Sequence, residues 1–171
     1  MPITAALCFL ADYGVNLNIR IMERDDLLNA SLVHKEAFVR QKLSYEWIEC
    51  NLNAFPRFLS FVAELEDSLV GYIIWSQKSG FRSEAVLELE QIAVLPKHHG
   101  RGIGKDLIEK SLPFVKNQLA KQDSILKHII VNTRADNYAQ KLYRNTLGAE
   151  VEATIANLYS ADEVFMVARN V

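Results

Sequence analysis

The stretch LPKHHGRGIGK, residues 95–105, constrains this chain more than any other segment. It packs Gly100, Gly102 and Gly104 into five positions between two regularly patterned segments. EAVLELEQIAVL (84–95) reads as a strand ended by Pro96, and an amphipathic pattern from about 102 to 120 reads as a helix. Pro113 is expected to kink that helix or mark its limit, because it cannot donate to the preceding turn. Glycines at such a junction let backbone N–H groups turn inward without Cβ clashes, and a helix start adds orphan donors and a partial positive charge. Lys97, Arg101 and Lys105 gather cations there, in a chain whose net charge is only −2. The arrangement suits a pyrophosphate, against the plainer reading of a strand–helix turn with solvated charges.

Two familiar phosphate loops are excluded by spacing. A P-loop needs Gly, four residues, then Gly-Lys-Ser/Thr. Here Asp106 follows Gly104-Lys105, and His99 stands where the first glycine belongs. A dinucleotide fingerprint counted from Gly100 or Gly102 demands glycine where Lys105 or Leu107 stands.

The remainder of the 171 residues reads as one domain, with the order β, α, α, β, β, β, α, β, α, β, β. Residues 1–17 show no clear period and form an N-terminal extension. NIRIME (18–23) reads as a strand, residues 24–41 as a helix with an acidic start, and SYEWIECNL (44–52) as a helix capped by Ser44. Residues 57–77 read as two strands around a turn at 66–68, LKHIIVNTR (126–134) as a strand, and DNYAQKLYRNTLGA (136–149) as a helix closed by Gly148. The tail supplies a final hairpin. The class is α/β of the α+β kind, with a mixed sheet. Cys8 and Cys50 form no framework and read as small buried hydrophobes in a reducing compartment. Without a basic leader or a run long enough to span a bilayer, the reading is a cytoplasmic protein with no membrane or nucleic-acid partner. No histidine or cysteine cluster has metal-ligand spacing, so no metal is expected.

LEQIAVLPKHHGRGIGKDLIEKSL resembles the acyl-CoA-binding motif of the GNAT superfamily of N-acyltransferases, a strand ending Ile-Ala-Val-x-Pro followed by Gln/Arg-x-x-Gly-x-Gly/Ala and a helix. Ile92, Ala93, Val94, Pro96, Gly102 and Gly104 match it. The family's second motif resembles DNYAQKLYRNTLGA, through Ala139, Leu142, Tyr143 and Gly148. His99 replaces the usual Gln or Arg, Asp136 replaces the usual Asn with Asn137 one step late, and Ala149 replaces the closing aromatic.

The resemblance implies a single GNAT domain over residues 18–171, with about seven mostly antiparallel strands flanked by about four helices. It implies acetyl-CoA as acyl donor, bound by Ile92, Ala93, Val94, His99, Gly100, Arg101, Gly102, Ile103, Gly104, Lys105, Asn137 and Tyr143. Backbone amides at 92–94 would polarise the thioester carbonyl, as in oxyanion stabilisation. Tyr143 sits where many members place the general acid, with a packing aromatic as the alternative. Glu88 and Glu90 lie two residues apart on the same strand, as a candidate base or as solvent-facing carboxylates. Ribosomal-protein N-terminal acetyltransferases place a glutamate where this chain has Val131.

The implied acceptor is a primary amine: a peptide N-terminus, a lysine, a polyamine or a small amine. A poorly defined base tilts the choice toward an α-amine, whose pKa of about 7.7–8.0 leaves far more neutral amine at pH 7 than a lysine near about 10.4. A CoA-binding regulatory or interaction module is the alternative, and the expected state is a monomer or homodimer. Trp47, Phe55 and Tyr159 fall in the regions that line the acceptor groove in this family, with core packing favoured for the first two.

Overall fold

The computed structural model describes residues 16–171. The expectations for Cys8 and for nearly all of the N-terminal extension lie outside the described residues. Seven strands form one sheet: β1 Leu17–Ile21, β2 Phe58–Leu65, β3 Ser68–Lys78, β4 Glu84–Val94, β5 Ile125–Arg134, β6 Glu150–Ile155 and β7 Glu163–Arg169. Their spatial order is β1-β2-β3-β4-β5-β7-β6. Neighbours are antiparallel except β4 and β5, which are parallel. A parallel pair needs a long crossover. Helix α3, Ile103–Ala120, provides it.

Helices α1, Leu27–Ala37, and α2, Ser44–Asn53, cover one face of the sheet through Leu27, Ala30, Val33 and Ile48. Helix α3 and helix α4, Ala139–Leu147, cover the other through Leu107, Ile108, Val115 and Tyr143. Strand β3 is buried on both sides, with Tyr72 and Ile74 toward α1 and α2 and Ile73 and Trp75 toward α3. Each large apolar side chain so buried contributes roughly 1.5–3 kcal/mol of transfer free energy. The Trp75 indole N–H donates to Ser111 Oγ at 2.9 Å, which satisfies the one polar atom this ring carries into the core.

Four local expectations are corrected. Helix α3 runs through Pro113 to Ala120, because Val115 and Leu119 beyond the proline are buried against the core. That burial offsets a backbone defect worth about 3 kcal/mol. Helix α1 stops at Ala37, and the chain turns so that Gln41 reaches back to His34. Ser44 is not the cap of α2: Leu43, at φ 55°, precedes the helix, and Ser44 Oγ bonds His34 Nδ1 at 2.9 Å. Cys50 is exposed rather than buried, since it lies on the outer side of α2. Among the described residues no helix is long and apolar enough to cross a membrane.

Candidate functional site

The site begins with a fault in the sheet. Strand β4 stays paired with β3 as far as Gly71 opposite Val94, but its pairing with β5 ends at Glu88 opposite Ile130. Beyond that point β5 continues along β7 as far as Arg134 opposite Glu163. The two parallel strands therefore part as a wedge, and residues 89–94 of β4 have one open edge. The Leu95 N–H bonds the Val70 carbonyl at 2.8 Å, so strand alternation turns the N–H groups of Ile92 and Val94 away from β3 and into the wedge. The Val94 carbonyl is taken by His99 Nε2 at 2.8 Å, which fixes that ring nitrogen as the protonated one. His99 thus closes the strand end with the side chain that replaces the family's Gln or Arg.

A β-bulge shapes the same strand. Trp75 faces Leu89 and Ile74 faces Gln91, which leaves Glu90 as an extra residue. The bulge reverses the alternation: Leu87 and Leu89 face the α3 core before it, and Ile92 and Val94 face that core after it. The signal was present in the sequence, where Glu90-Gln91 puts two polar residues side by side in an alternating strand.

The glycine loop follows. Gly100 has φ 76° and Gly102 φ 80°, conformations that L-residues rarely adopt. A Cβ at either position would meet nothing within 4 Å, so backbone conformation and not crowding demands glycine there. Gly102 caps α3 without any side-chain bond. Asp106 N–H is the first to find a helical acceptor, at Gly102 O, 3.0 Å away. Among the described residues the N–H groups of 100–105 have no backbone acceptor. They stand at the positive end of an 18-residue helix. The loop opens on a cleft of about 600 Å³ that runs from Ile92 and Val94 to Asn137 and Leu142. A row of free N–H groups, a helix terminus and open space where side chains would stand fit a diphosphate. Arg101 and Lys105 do not line the cleft; Arg101 contacts His98 Nδ1 at 3.1 Å and Lys105 approaches Glu109 at 3.8 Å. Burial, then Lys97 and Arg101, lower the His98 pKa, which suits its role as acceptor toward Arg101.

The second motif forms the cleft's far wall. Asn137 lines it, but its side chain is engaged: Oδ1 accepts from Ala139 N–H at 2.9 Å and Nδ2 donates to Thr133 Oγ1 at 2.8 Å. Asp136 turns outward into a two-bond pair with Arg134, at 2.9 and 2.8 Å. Tyr143 does not line the cleft: it is buried and packs with the α3 core. Burial pushes its hydroxyl up to about 12, so it holds its proton at any working pH. Val131 is buried in the same core.

The opposite face of the wedge is polar. Glu88 pairs with Lys78 Nζ at 2.6 Å, and Glu90 accepts from Ser76 Oγ at 3.0 Å, so both carboxylates face the α1–α2 side and both are engaged. Gln91 Oε1 accepts from Tyr72 Oη at 2.6 Å and from Trp47 Nε1 at 3.0 Å, while its Nε2 reaches Gln41 Oε1 at 3.4 Å. Gln41 Oε1 also contacts His34 Nε2 at 2.9 Å, so this chain of bonds ties β4 to α1, α2 and the loop between them. Burial lowers the pKa of His34 and keeps its ring neutral. Trp47 is thus a bonded, partly exposed wall residue rather than core. Phe55, 60 % exposed, lines a separate apolar cavity of about 260 Å³ with Phe58 and Phe114. Arg40 from the α1–α2 loop donates to Ser160 Oγ at 3.1 Å and so joins that loop to the β6–β7 loop, which carries the exposed Tyr159. Sequence reading did not find Gln91, Gln41 and His34 as a connected set, because they meet only through tertiary contacts.

Residues 24–149 match the sequence model of the acetyltransferase (GNAT) family. No curated protein matches the chain. Among solved structures it is similar to the ribosomal-protein-S18-alanine N-acetyltransferase from Escherichia coli, at 22% identity and TM-score 0.70 over 91% of this chain and 94% of that one. It is similar also to an aminoglycoside 6'-N-acetyltransferase complexed with coenzyme A, at 14% identity and TM-score 0.71 over 90% and 97% of the two chains. A third is Arabidopsis thaliana NAA60 in complex with a bisubstrate analogue, at 15% identity and TM-score 0.70 over 89% and 97%. At such identities the structural likeness speaks for the fold, while the family match covers most of the chain. With its parted β4–β5 pair and its glycine-capped α3, the chain belongs to the GNAT acetyltransferase family and is an acetyl-CoA-dependent N-acetyltransferase.

Proposed function

We propose that this enzyme acetylates a primary amine by direct attack on acetyl-CoA in a ternary complex, with residues 18–171 as the catalytic unit. The observation that carries the reading is the continuity of the wedge with the glycine loop. The free N–H groups of 100–105 hold the diphosphate, and the Ile92 and Val94 N–H groups lie one strand length away, where they receive the thioester oxygen. Donors already in place at developing negative charge are commonly the largest catalytic term in acyl transfer. Tyr143, protonated and next in sequence to the cleft-lining Leu142, is the candidate source of the proton that the departing thiolate needs. Glu88 and Glu90 face the acceptor side, each held by one neighbour, and bias the groove toward cationic acceptors.

The acceptor we favour is a peptide α-amine. Its lower basicity asks less of a site whose two strand carboxylates are already engaged. The E. coli structural neighbour acts on an alanine of ribosomal protein S18, and Trp47 and Tyr159 give this chain exposed aromatic surface against which a peptide can lie. The test is CoA release from acetyl-CoA over a panel of N-terminal peptides, lysine peptides, polyamines and small amines. Turnover is expected with peptide α-amines, and Tyr143→Phe is expected to lower kcat by about 10²-fold with little change in the KM for acetyl-CoA. Preference for polyamines or lysines would overturn the acceptor assignment, and no turnover on any amine would overturn the reaction.

A further inference from the structure

We propose that Glu163 is the carboxylate that receives the acceptor's ammonium group, an inference that rests on the amine-acetylation reading above. Glu163 opens β7 directly opposite Arg134, at the end of β5. Val164, Met166 and Ala168 face the α3–α4 core, so Glu163 and Phe165 face the other side of the sheet, the side of Glu90 and Gln91. Arg134 lies four residues beyond Ile130, where β4 and β5 part company. The same distance along β4 from Glu88, with the extra Glu90 allowed for, reaches Ala93. Glu163 therefore lies level with the Ile92 and Val94 N–H groups but one strand beyond β5, on the sheet face that carries Glu90 and Gln91.

Glu163 is 5 % exposed, yet no described residue donates a hydrogen bond to its carboxylate or comes within ion-pair distance of it. Arg134, directly opposite, bonds Asp136 through Nε and Nη2. Arg40, the other cation near this end of the groove, donates to Ser160. Burial raises the Glu163 pKa, with Arg134 lowering it and Asp136 raising it. One strand away, on the same face and on the diagonal from Glu163, Asn132 Oδ1 is buried and also without a partner. Two acceptors on one face of the sheet, neither holding a hydrogen bond among the described residues, suit a ligand that brings N–H groups and positive charge. A primary ammonium supplies both.

The chemistry then closes without a metal or a covalent enzyme intermediate. Glu163 takes one proton from the ammonium and passes it to water. The neutral amine forms the N–C bond, the C–S bond breaks, and a second proton goes to the departing thiolate to give CoASH. The third stays on the amide.

The test uses Glu163→Gln, Glu163→Asp and Glu163→Ala with the best amine from the panel, between pH 6 and 9. Glu163→Gln is expected to raise the KM for the amine about ten-fold and to remove the acidic limb of kcat/KM, leaving the KM for acetyl-CoA within about two-fold. Glu163→Asp should restore part of both effects. Calorimetric binding of acetyl-CoA confirms that each variant is folded, and the near-isosteric Gln variant decides if the Ala variant is not. Wild-type turnover that Glu163→Gln leaves unchanged in amine KM and pH profile overturns this inference alone. No turnover by the wild type on any amine overturns it together with the reading on which it rests.

Discussion

Gly71→Ala puts the packing behind the wedge to a quantitative test. Gly71 lies in β3 opposite Val94, and a Cβ built there falls 2.8 Å from Ala93 O, 3.3 Å from Val94 Cγ2 and 3.4 Å from Leu107 Cδ1. A comfortable C···O contact is about 3.3–3.6 Å, so the Ala93 carbonyl must retreat by roughly half an ångström. It belongs to the backbone and cannot rotate aside. Overpacking of this kind costs about 1–3 kcal/mol. The smaller entropy of the unfolded Ala chain offsets about 0.4–1 kcal/mol of that, leaving a net loss of about 1–2 kcal/mol. For a chain of this size each kcal/mol lowers Tm by about 2–4 °C, so the expected drop is about 2–8 °C. The displaced peptide itself carries the Val94 N–H on the side opposite the Ala93 carbonyl. Because a 1 Å misplacement in an active site can cost about 10²-fold, half of that should lower kcat about ten-fold.

Gly80→Ala is the control for that measurement. Gly80 has φ 86° and open space around its Cβ position, so Ala there is strained but touches nothing. It should lower Tm with kcat unchanged. Thermal melting and CoA-release kinetics on both variants decide the matter. A Gly71→Ala enzyme that melts no lower than wild type and turns over within two-fold of it would falsify the claim that the β3–β4 contact sets the position of the wedge amides.

Gly102→Val should weaken acetyl-CoA binding about ten-fold or more, since a β-branched residue cannot hold φ 80° and the cap of α3 must rearrange. Calorimetry reads this directly, and unaltered affinity would remove the loop from the binding site. His34 is expected to make stability pH-dependent. Its folded pKa lies below the unperturbed 6.5 because burial disfavours the imidazolium. As pH falls below 6.5 the unfolded chain binds a proton that the native state refuses, so the stability fully present above that pH is progressively lost down to the folded pKa. Melting curves between pH 5 and 7.5 should fall more steeply for wild type than for His34→Gln, and parallel curves would show that His34 does not titrate in this way.

Local backbone chemistry made much of the donor site legible in the sequence. Three glycines between a strand pattern and a helix pattern describe a phosphate loop because φ preference and helix-terminus donors are properties of the segment itself. The element order was readable for the same reason: periods of 2 and 3.6 and turn residues such as Glu66-Asp67 act over a few positions. Pro113 and Ser44 misled because their local preferences were outweighed, by burial of the second half of α3 in one case and by a bond to His34 in the other.

The sequence by itself thus determined the fold class and the glycine turn that opens α3. The tertiary structure alone decided what lies on the sheet's other face: where β4 parts from β5 and which polar groups are left without partners. Those features depend on pairing between residues 29 to 120 positions apart, from Arg134 and Glu163 to Arg40 and Ser160. Glu163 shows the difference most plainly. In the sequence it is one glutamate at the start of a final strand. Its burial, with no hydrogen bond from any described residue, is something only packing can produce.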